Sequence, residues 1–443
     1  MPHGRRAGRA TRTSRRWVVS VAALTLAVVA SASAAVGPRW LPSRRISPTP
    51  SRGYIYGGPS VAMNARGDAT VFFGASDPAR NHGRVEAVLR PAGRRYTAPV
   101  PVDVPASAVA IGGAGQVIAV GARGDAIAPS PQRVVALAGS TRSRSFGTPV
   151  TIGSPGPSDS DFSPRVAMND RGDGVVTWAR KNPHELGILT SIRRAGQRFG
   201  RPETIPGSSG EDPQVGIDAR GDVTVAWFTR AGNVLAVDVA VRPAGGHFGP
   251  PVTVSRADQD LGAFNLAVSP TGEAAIASIL NDGSINVVLR GRRGPFGARR
   301  TLERPTNDYL TPVVSIDARG EAVVAWGRPY EGVVRVAVRS PGHGFGPSTT
   351  LSAPGETSGA PALAGVGAGH FVVAWPTRTR SGRSYVVARV RAGGRPFGPQ
   401  RPVTRLRSLG EGFDFGVAID ALGDALAVTA ANDRVLATDY RGG

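Results

Sequence analysis

The sequence contains no cysteine, and this absence excludes several kinds of structure and chemistry. Disulfide bonds, thiolate metal sites, a cysteine nucleophile and a lipid-modified N-terminal cysteine are all ruled out. Lysine occurs once, at Lys181, so the formal net charge of +21 comes almost entirely from arginine. A charge of this size attracts polyanions weakly and favours solubility, but it specifies neither a fold nor a partner.

Long stretches of helical periodicity are also missing. The 443 residues include 59 glycines and 37 prolines, and the apolar segments are short and rich in valine and alanine. This pattern predicts an all-β fold with many turns. No segment beyond the N-terminal region is apolar over a sufficient length to cross a bilayer, so we expect no membrane span in the mature chain.

The N-terminus has the layout of a targeting signal. Residues 1–16 carry six arginines and no acid, an apolar run follows from Trp17 to Ala30, and A-x-A sites lie at 30–32 and 32–34. We predict a signal peptide over residues 1–34 and a secreted or cell-wall-associated mature protein from about Ala35. An uncleaved anchor helix is the alternative, since residues 17–36 could just span a bilayer. Residues 14–17 resemble part of a twin-arginine signal, which leaves both export routes open.

A segment of about eight residues recurs along the rest of the chain, and successive copies end 48 to 57 residues apart. The best copies cover residues 61–68, 166–173, 215–222, 314–321 and 417–424, and looser copies cover 109–116, 266–273 and 363–370. A period near 50 residues is typical of a β-propeller with four strands in each blade. The eight copies therefore predict eight blades within residues 35–443.

Each copy has the same internal order. A short apolar strand with a small central residue leads into a turn that has glycine at its fourth position. Glycine supplies the positive φ that such a turn needs, and the Asn or Asp that starts five of the turns can bind the turn backbone. The second strand often ends in Phe or Trp, and the third strand usually ends in Arg.

The fourth strand can be identified seven times, whereas each of the first three strands can be identified eight times. Seven segments begin with an aromatic residue after the third strand, at Tyr96, Phe146, Phe199, Phe248, Phe296, Phe345 and Phe397. The chain stops after an eighth third strand, and residues 40–46 resemble the missing fourth strand. We therefore predict an eight-bladed β-propeller of four-stranded antiparallel blades whose last blade is closed by the N-terminal strand. An open stack of hairpins is the alternative.

Several short motifs are better explained by the repeat than by chemistry. Arg-Gly-Asp occurs at 66–68, 123–125, 171–173 and 220–222, and three of these copies fall in the repeated turn, where glycine is needed. Residues 169–174 resemble a calcium loop, but Arg171 stands where a ligand oxygen is required. No histidine–carboxylate cluster has metal spacing, and no G-x-S-x-G elbow is present. We expect no metal and no cofactor.

The repeat style resembles that of sialidase-like and other secreted bacterial propeller proteins, over essentially the whole mature chain. The motif that marks the sialidases themselves, S-x-D-x-G-x-T-W, is not matched: in residues 218–227 the Gly, Thr and Trp stand at the wrong distances from Asp218. The resemblance therefore implies the fold and leaves the activity open.

Charges are distributed unevenly between the two faces of such a propeller. The hairpins between third and fourth strands contain arginines and no acid, and candidate polyanion contacts are Arg94, Arg95, Arg194, Arg198, Arg292 and Arg293. Loops of the other face are richest in acids around blades four to six, and candidate ligand-binding residues there are Asp212, Asp258, Asp260, Asp308, Tyr309, Tyr330 and Glu331. Both sets could equally be solvated loop charges.

These features predict a non-enzymatic, monomeric binding protein that recognises a glycan or another cell-surface polymer. A carbohydrate-active enzyme with a carboxylate pair in the central pocket is the first alternative, and a scaffold without a small ligand is the second. Nucleic acid is a poor partner, because no basic stretch is interleaved with aromatic residues.

Overall fold

A computed structural model of the chain describes residues 37–48, 55–77, 82–124, 132–153, 155–156, 158–184, 186–231, 234–256, 261–305, 311–328, 330–406, 413–431 and 433–442. The predicted signal peptide lies outside these residues. The described strands form eight antiparallel sheets, the blades of an eight-bladed β-propeller. We number the blades along the chain and the strands of each blade outward from the central axis. No helix in the described part of the chain has the length and apolar character needed to cross a bilayer.

The first strands of blades 1 to 8 span Ile55–Met63, Ala108–Ile111, Ser160–Met168, Glu211–Ile217, Leu261–Val268, Val313–Ile316, Ala362–Val366 (with Thr357–Ser358) and Phe413–Ile419. The second strands span Ala69–Asp77, Gln116–Arg123, Gly174–Lys181, Val223–Ala231, Ala274–Leu280, Ala322–Arg328, His370–Arg378 and Ala425–Ala431.

The third strands span His82–Arg90, Arg133–Ser140, Leu186–Arg193, Val234–Arg242, Ile285–Arg290, Val333–Arg339, Ser384–Arg391 and Arg434–Arg441. The fourth strands of blades 1 to 7 span Val100–Val102, Val150–Thr151 (with Ser145–Phe146), Glu203–Thr204, Val252–Arg256, Arg300–Glu303, Thr349–Thr350 and Arg401–Leu406. In blade 8 the fourth position is taken by Arg39–Trp40 and Arg44–Arg45.

The N-terminal closure of blade 8 is confirmed, and its details repeat those of the other blades. Arg39 and Trp40 pair with Arg441 and Tyr440, and Arg44 pairs with Ala437. In blades 1 to 7 the aromatic residue precedes the regular fourth strand by four residues, and the next residue donates its N–H to the third strand. Trp40 stands in the same relation to Arg44, and the N–H of Leu41 is 2.7 Å from the carbonyl oxygen of Asp439.

Apolar packing between adjacent blades forms the core. The large aromatic residue of the second strand faces the preceding blade and is at most 1% exposed, as in Phe73, Trp178, Trp227, Trp326 and Trp375. Trp227, for example, packs among Val175, Ile188 and Ile205 of blade 3. Such interfaces remove apolar surface from water on both sides of every blade, which stabilises a ring that contains no disulfide bond.

The repeated turn between first and second strands has the predicted conformation. Its glycine has positive φ in all eight blades, between 80° and 95°. In blade 4 the carboxylate of Asp218 accepts hydrogen bonds from the backbone N–H groups of Arg220, Gly221 and Asp222. Turns of adjacent blades are also joined directly, for instance by the N–H of Ala421 and the carbonyl oxygen of Ala65 at 3.0 Å. This last bond joins blade 8 to blade 1.

The small residue at the centre of each first strand makes room for the neighbouring blade. A Cβ added to Gly216 would lie 2.3 Å from Cγ2 of Val268 in blade 5. We expect Gly216→Ala to destabilise the protein by about 1–3 kcal/mol, because the clash forces side chains off their rotamers. The measurement is denaturant unfolding. Gly83→Ala is the matched control, since a Cβ there meets no atom within 4 Å, and an equal loss in both variants would contradict the packing argument.

Candidate functional site

In several blades the first strand carries a β-bulge near the end that points away from the repeated turn. In blades 1, 3 and 4 the pairing register shifts by one residue at this point. A proline lies at the corresponding sequence position in five blades, at Pro59, Pro164, Pro213, Pro312 and Pro361. Proline fits here because the strand edge faces the central axis, where an N–H would have no strand to pair with. Bulges re-aim side chains and are frequent beside binding and catalytic sites.

Two bulges contain a non-glycine residue in the left-handed region. The φ angles are 51° at Ser163 and 49° at Asp212, in the adjacent blades 3 and 4. The Ser163 hydroxyl lies 2.7 Å from Oδ1 of the exposed Asp212 carboxylate, to which it donates a hydrogen bond. Such backbone conformations cost free energy, and they are concentrated at functional sites. This pair is therefore the first element of a candidate site.

Side-chain amides extend the polar surface into blades 5 and 6. The Gln214 side chain donates to the carbonyl oxygen of Phe264 at 2.8 Å and accepts from the N–H of Leu266 at 2.8 Å. Asn265 in turn accepts from the N–H of Val314 at 2.9 Å. Each amide thus covers the axis-facing edge of the next first strand, whose backbone groups would otherwise lack a strand partner.

Arg165 occupies in blade 3 the position that Gln214 and Asn265 occupy in blades 4 and 5. Among the described residues its one hydrogen bond runs to the carbonyl oxygen of Pro164, at 3.1 Å. The same position is small or apolar in the other blades: Ser60, Ala108, Val313, Ala362 and Gly416. At this position the longer polar side chains thus occur in the adjacent blades 3, 4 and 5, and we call Ser163, Arg165, Asp212, Gln214 and Asn265 the axial cluster.

The axial cluster contains one of the seven candidate ligand-binding residues, Asp212. Tyr330 and Glu331 lie in blade 6, in the loop between its second and third strands. Tyr330 is 85% exposed. The Glu331 carboxylate forms an ion pair with Arg328 at 2.9 Å, and Arg328 also approaches Glu303 at 3.6 Å. Asp258, Asp260, Asp308 and Tyr309 lie outside the described residues.

Sequence reasoning missed Ser163, Arg165, Gln214 and Asn265. The signal that could have found them is the repeated proline, since it marks the axis-facing edge of the strand and hence the residues beside it.

Another carboxylate on the same side of the propeller is structural. Asp161 in blade 3 is fully buried and accepts two hydrogen bonds from Arg180, at 2.6 and 2.8 Å. These hydrogen bonds raise the pKa of Arg180. A buried carboxylate needs such a cation because an unpaired charge in the interior is very costly. The Asp161 carboxylate therefore has a structural role, as the partner of Arg180 in this ion pair.

The opposite face, which we call the hairpin face, carries the repeated turns and the hairpins between third and fourth strands. Acids of the turns hold the hairpins: the carboxylates of Asp68, Asp173 and Asp222 accept N–H bonds from hairpin residues 92, 195 and 244. These three are the Asp residues of Arg-Gly-Asp tripeptides. The tripeptides therefore have a structural role in the turns, as the repeat predicted.

The six candidate polyanion contacts are all exposed on the hairpin face. Arg94 and Arg95 belong to blade 1, Arg194 and Arg198 to blade 3, and Arg292 and Arg293 to blade 5. Within the described ranges none of the six forms an ion pair, whereas turn arginines such as Arg171 and Arg220 pair with turn acids. Over the same ranges, no three His, Asp or Glu residues are arranged to hold a metal ion.

Comparison with known proteins identifies the fold. The sequence matches no protein-family model and no curated protein. A solved structure of the lectin BP39L from Burkholderia pseudomallei is similar, with a TM-score of 0.51 at 15% identity, over 82% of this chain and 100% of the lectin.

Two further structures have lower scores. The β-propeller domain of the trilobed protease from Pyrococcus furiosus has a TM-score of 0.46 at 9% identity, over 79% of this chain and 98% of that domain. An ulvan lyase of polysaccharide lyase family PL25 has a TM-score of 0.44 at 10% identity, over 90% and 95% of the two chains. At these identities the likeness concerns the fold alone.

Proposed function

We propose that this propeller is a non-enzymatic glycan-binding protein and that the axial cluster holds the sugar. The observation that carries the proposal is the strained pair of Ser163 and Asp212 beside Arg165. Together these side chains offer a carboxylate acceptor, a hydroxyl and a guanidinium whose donors are mostly free among the described residues. A sugar hydroxyl both donates and accepts, so it can bind a carboxylate and a guanidinium at once.

Glycoside hydrolysis is the alternative to binding, and the structure describes two of the five candidate carboxylates for it. Hydrolysis needs two carboxyl groups that face the same bond, about 5–10 Å apart. Of the candidate carboxylates, Asp212 and Glu331 are described, and they lie in different blades and have different partners, Ser163 and Arg328. The similarity to a lectin is consistent with this proposal, because it indicates that a propeller of this kind can carry a carbohydrate site.

A glycan array, followed by titration of the best ligand, tests the proposal. We expect Asp212→Ala to weaken binding by about tenfold to a hundredfold, since a hydrogen bond to a charged group contributes about 1.5–3 kcal/mol. Asp414→Ala is the matched control: Asp414 is at the corresponding sequence position of blade 8, where the first strand pairs without a register shift and the carboxylate accepts the N–H of Gly58.

The two variants distinguish the outcomes. Unchanged binding by Asp212→Ala, with an unchanged Tm, would remove the axial cluster from the site. An equal loss in both variants would contradict a site confined to blades 3 to 5. Cleavage products of the bound glycan in the same incubation would contradict the non-enzymatic assignment.

A further inference from the structure

An exposed leucine stands on the hairpin face where blade 8 meets blade 1. Leu422 is in the repeated turn of blade 8 and is 76% exposed. It lines a cavity of about 220 Å³ whose charged residues are four arginines and three aspartates: Arg66, Arg90, Arg94, Arg441, Asp420, Asp424 and Asp439. An apolar side chain flanked by arginines can enter the boundary between lipid headgroups and acyl chains while the arginines contact the phosphates.

The cavity beside Leu422 is net basic, with four arginines against three aspartates, and each aspartate has a partner within the protein; that of Asp439 is Arg90. Asp420 is 4% exposed and its carboxylate accepts two backbone N–H bonds. Asp424 forms an ion pair with Arg441 and accepts the N–H of Gly442. Arg94 and its neighbour Arg95 are exposed and have no acidic partner among the described residues. Two cations therefore remain available to an external anion beside the leucine.

The N-terminal strand enters the propeller at this place. Arg39 is exposed and pairs with Arg441, at the hairpin-face end of blade 8, and the strand then runs toward the opposite face. Arg39 therefore adds a further exposed cation at the hairpin-face end of blade 8.

From these three observations we propose that the hairpin face docks on an anionic phospholipid bilayer, through the patch of Arg39, Arg94, Arg95 and Leu422. Leu422 enters the interface, and the arginines contact lipid phosphates. This surface is separate from the axial cluster, so a glycan and a membrane can bind at the same time.

The test is co-sedimentation of residues 37–443, which contain every described strand of the ring. The vesicles are phosphatidylcholine alone, or phosphatidylcholine with about one quarter phosphatidylglycerol. We expect binding to the anionic vesicles only, and it should fall sharply between about 50 mM and about 500 mM salt. Arg94→Ser/Arg95→Ser should lower the partition coefficient at least about fivefold, since each arginine near the surface contributes about 1 kcal/mol. Leu422→Ser should lower it about threefold or more.

Arg292→Ser/Arg293→Ser is the matched control, because it removes the same charge from the hairpin of blade 5, on the far side of the ring. We expect it to lower partitioning less than the blade 1 variant does. Equal losses would overturn the patch in favour of diffuse attraction by the whole face. If vesicles do not bind while soluble polyphosphate does, the membrane proposal is wrong and the partner is an anionic polymer. A glycan titration of the same variants should be unchanged, which separates this test from that of the axial cluster.

Discussion

Deleting residues 37–48 is expected to lower the Tm of the propeller by about 5 °C or more and to produce oligomers. The deletion removes the fourth strand of blade 8. It exposes apolar surface of blade 8 that Ile46, 4% exposed in the intact protein, now covers, and it removes Trp40, whose ring centroid lies 5.2 Å from that of Tyr440. The Ser47 hydroxyl, which accepts the N–H of Val435, is lost as well.

Oligomers are expected because the third strand of blade 8, Arg434–Arg441, becomes a free edge. Such an edge presents unpaired N–H and carbonyl groups to other chains. The measurements are a thermal melt and size-exclusion chromatography. Removing Gly442 and Gly443 is the control, because Gly442 contributes one hydrogen bond, to Asp424. If the longer deletion leaves a monomer with an unchanged Tm, the N-terminal strand does not hold the ring closed.

Arg180→Met is expected to destabilise the protein by about 3–5 kcal/mol, because it leaves the fully buried carboxylate of Asp161 without its cation. Adding Asp161→Leu to this variant should recover most of the loss, since an apolar pair of similar size carries no charge to desolvate. Denaturant unfolding of the two single variants and the double variant gives the coupling energy directly.

Arg434→Met provides the matched control for Arg180→Met. Arg434 pairs with Asp433 at 2.6 Å, but both side chains are about two-fifths exposed. The pair is screened by solvent, so its loss should cost less than about 1 kcal/mol. If Arg180→Met costs no more than Arg434→Met, the buried pair does not contribute as described. A failure of the double variant to recover would mean that the polar groups are needed for a specific packing.

The fold could be predicted because its determinants are local and repeated. Glycine at the fourth turn position and the aromatic residue four positions before the fourth strand recur in register with the blades, so eight copies support one interpretation. The role of the N-terminal strand in blade 8 could be predicted by counting the strands, because the fourth strand occurs once less often than the other three. The repeat even explains why Trp40, far from the last blade in sequence, completes it.

The axial cluster was not predictable to the same degree, because it depends on what differs between the blades. Gln214 and Asn265 occupy one position of the first strand, yet nothing in the repeat says that their amides reach the next strand. The positive φ of Ser163 and Asp212 arises from a bulge, and a bulge changes the direction of side chains relative to regular strand alternation. The sequence indicates Asp212 through its charge alone and does not indicate that Ser163 is its hydrogen-bond partner.

Blade 8 contains strands from both ends of the described part of the chain and so brings these two ends together. Arg39 is paired with Arg441, so a short linker could join the described termini without disturbing the ring. The chain could then be reopened in any loop between two blades, each permutant containing eight complete blades of four strands encoded in unbroken order. In such a molecule the backbone would leave the propeller on the face opposite the hairpin face, at a blade chosen by the experimenter, while the axial cluster kept its geometry.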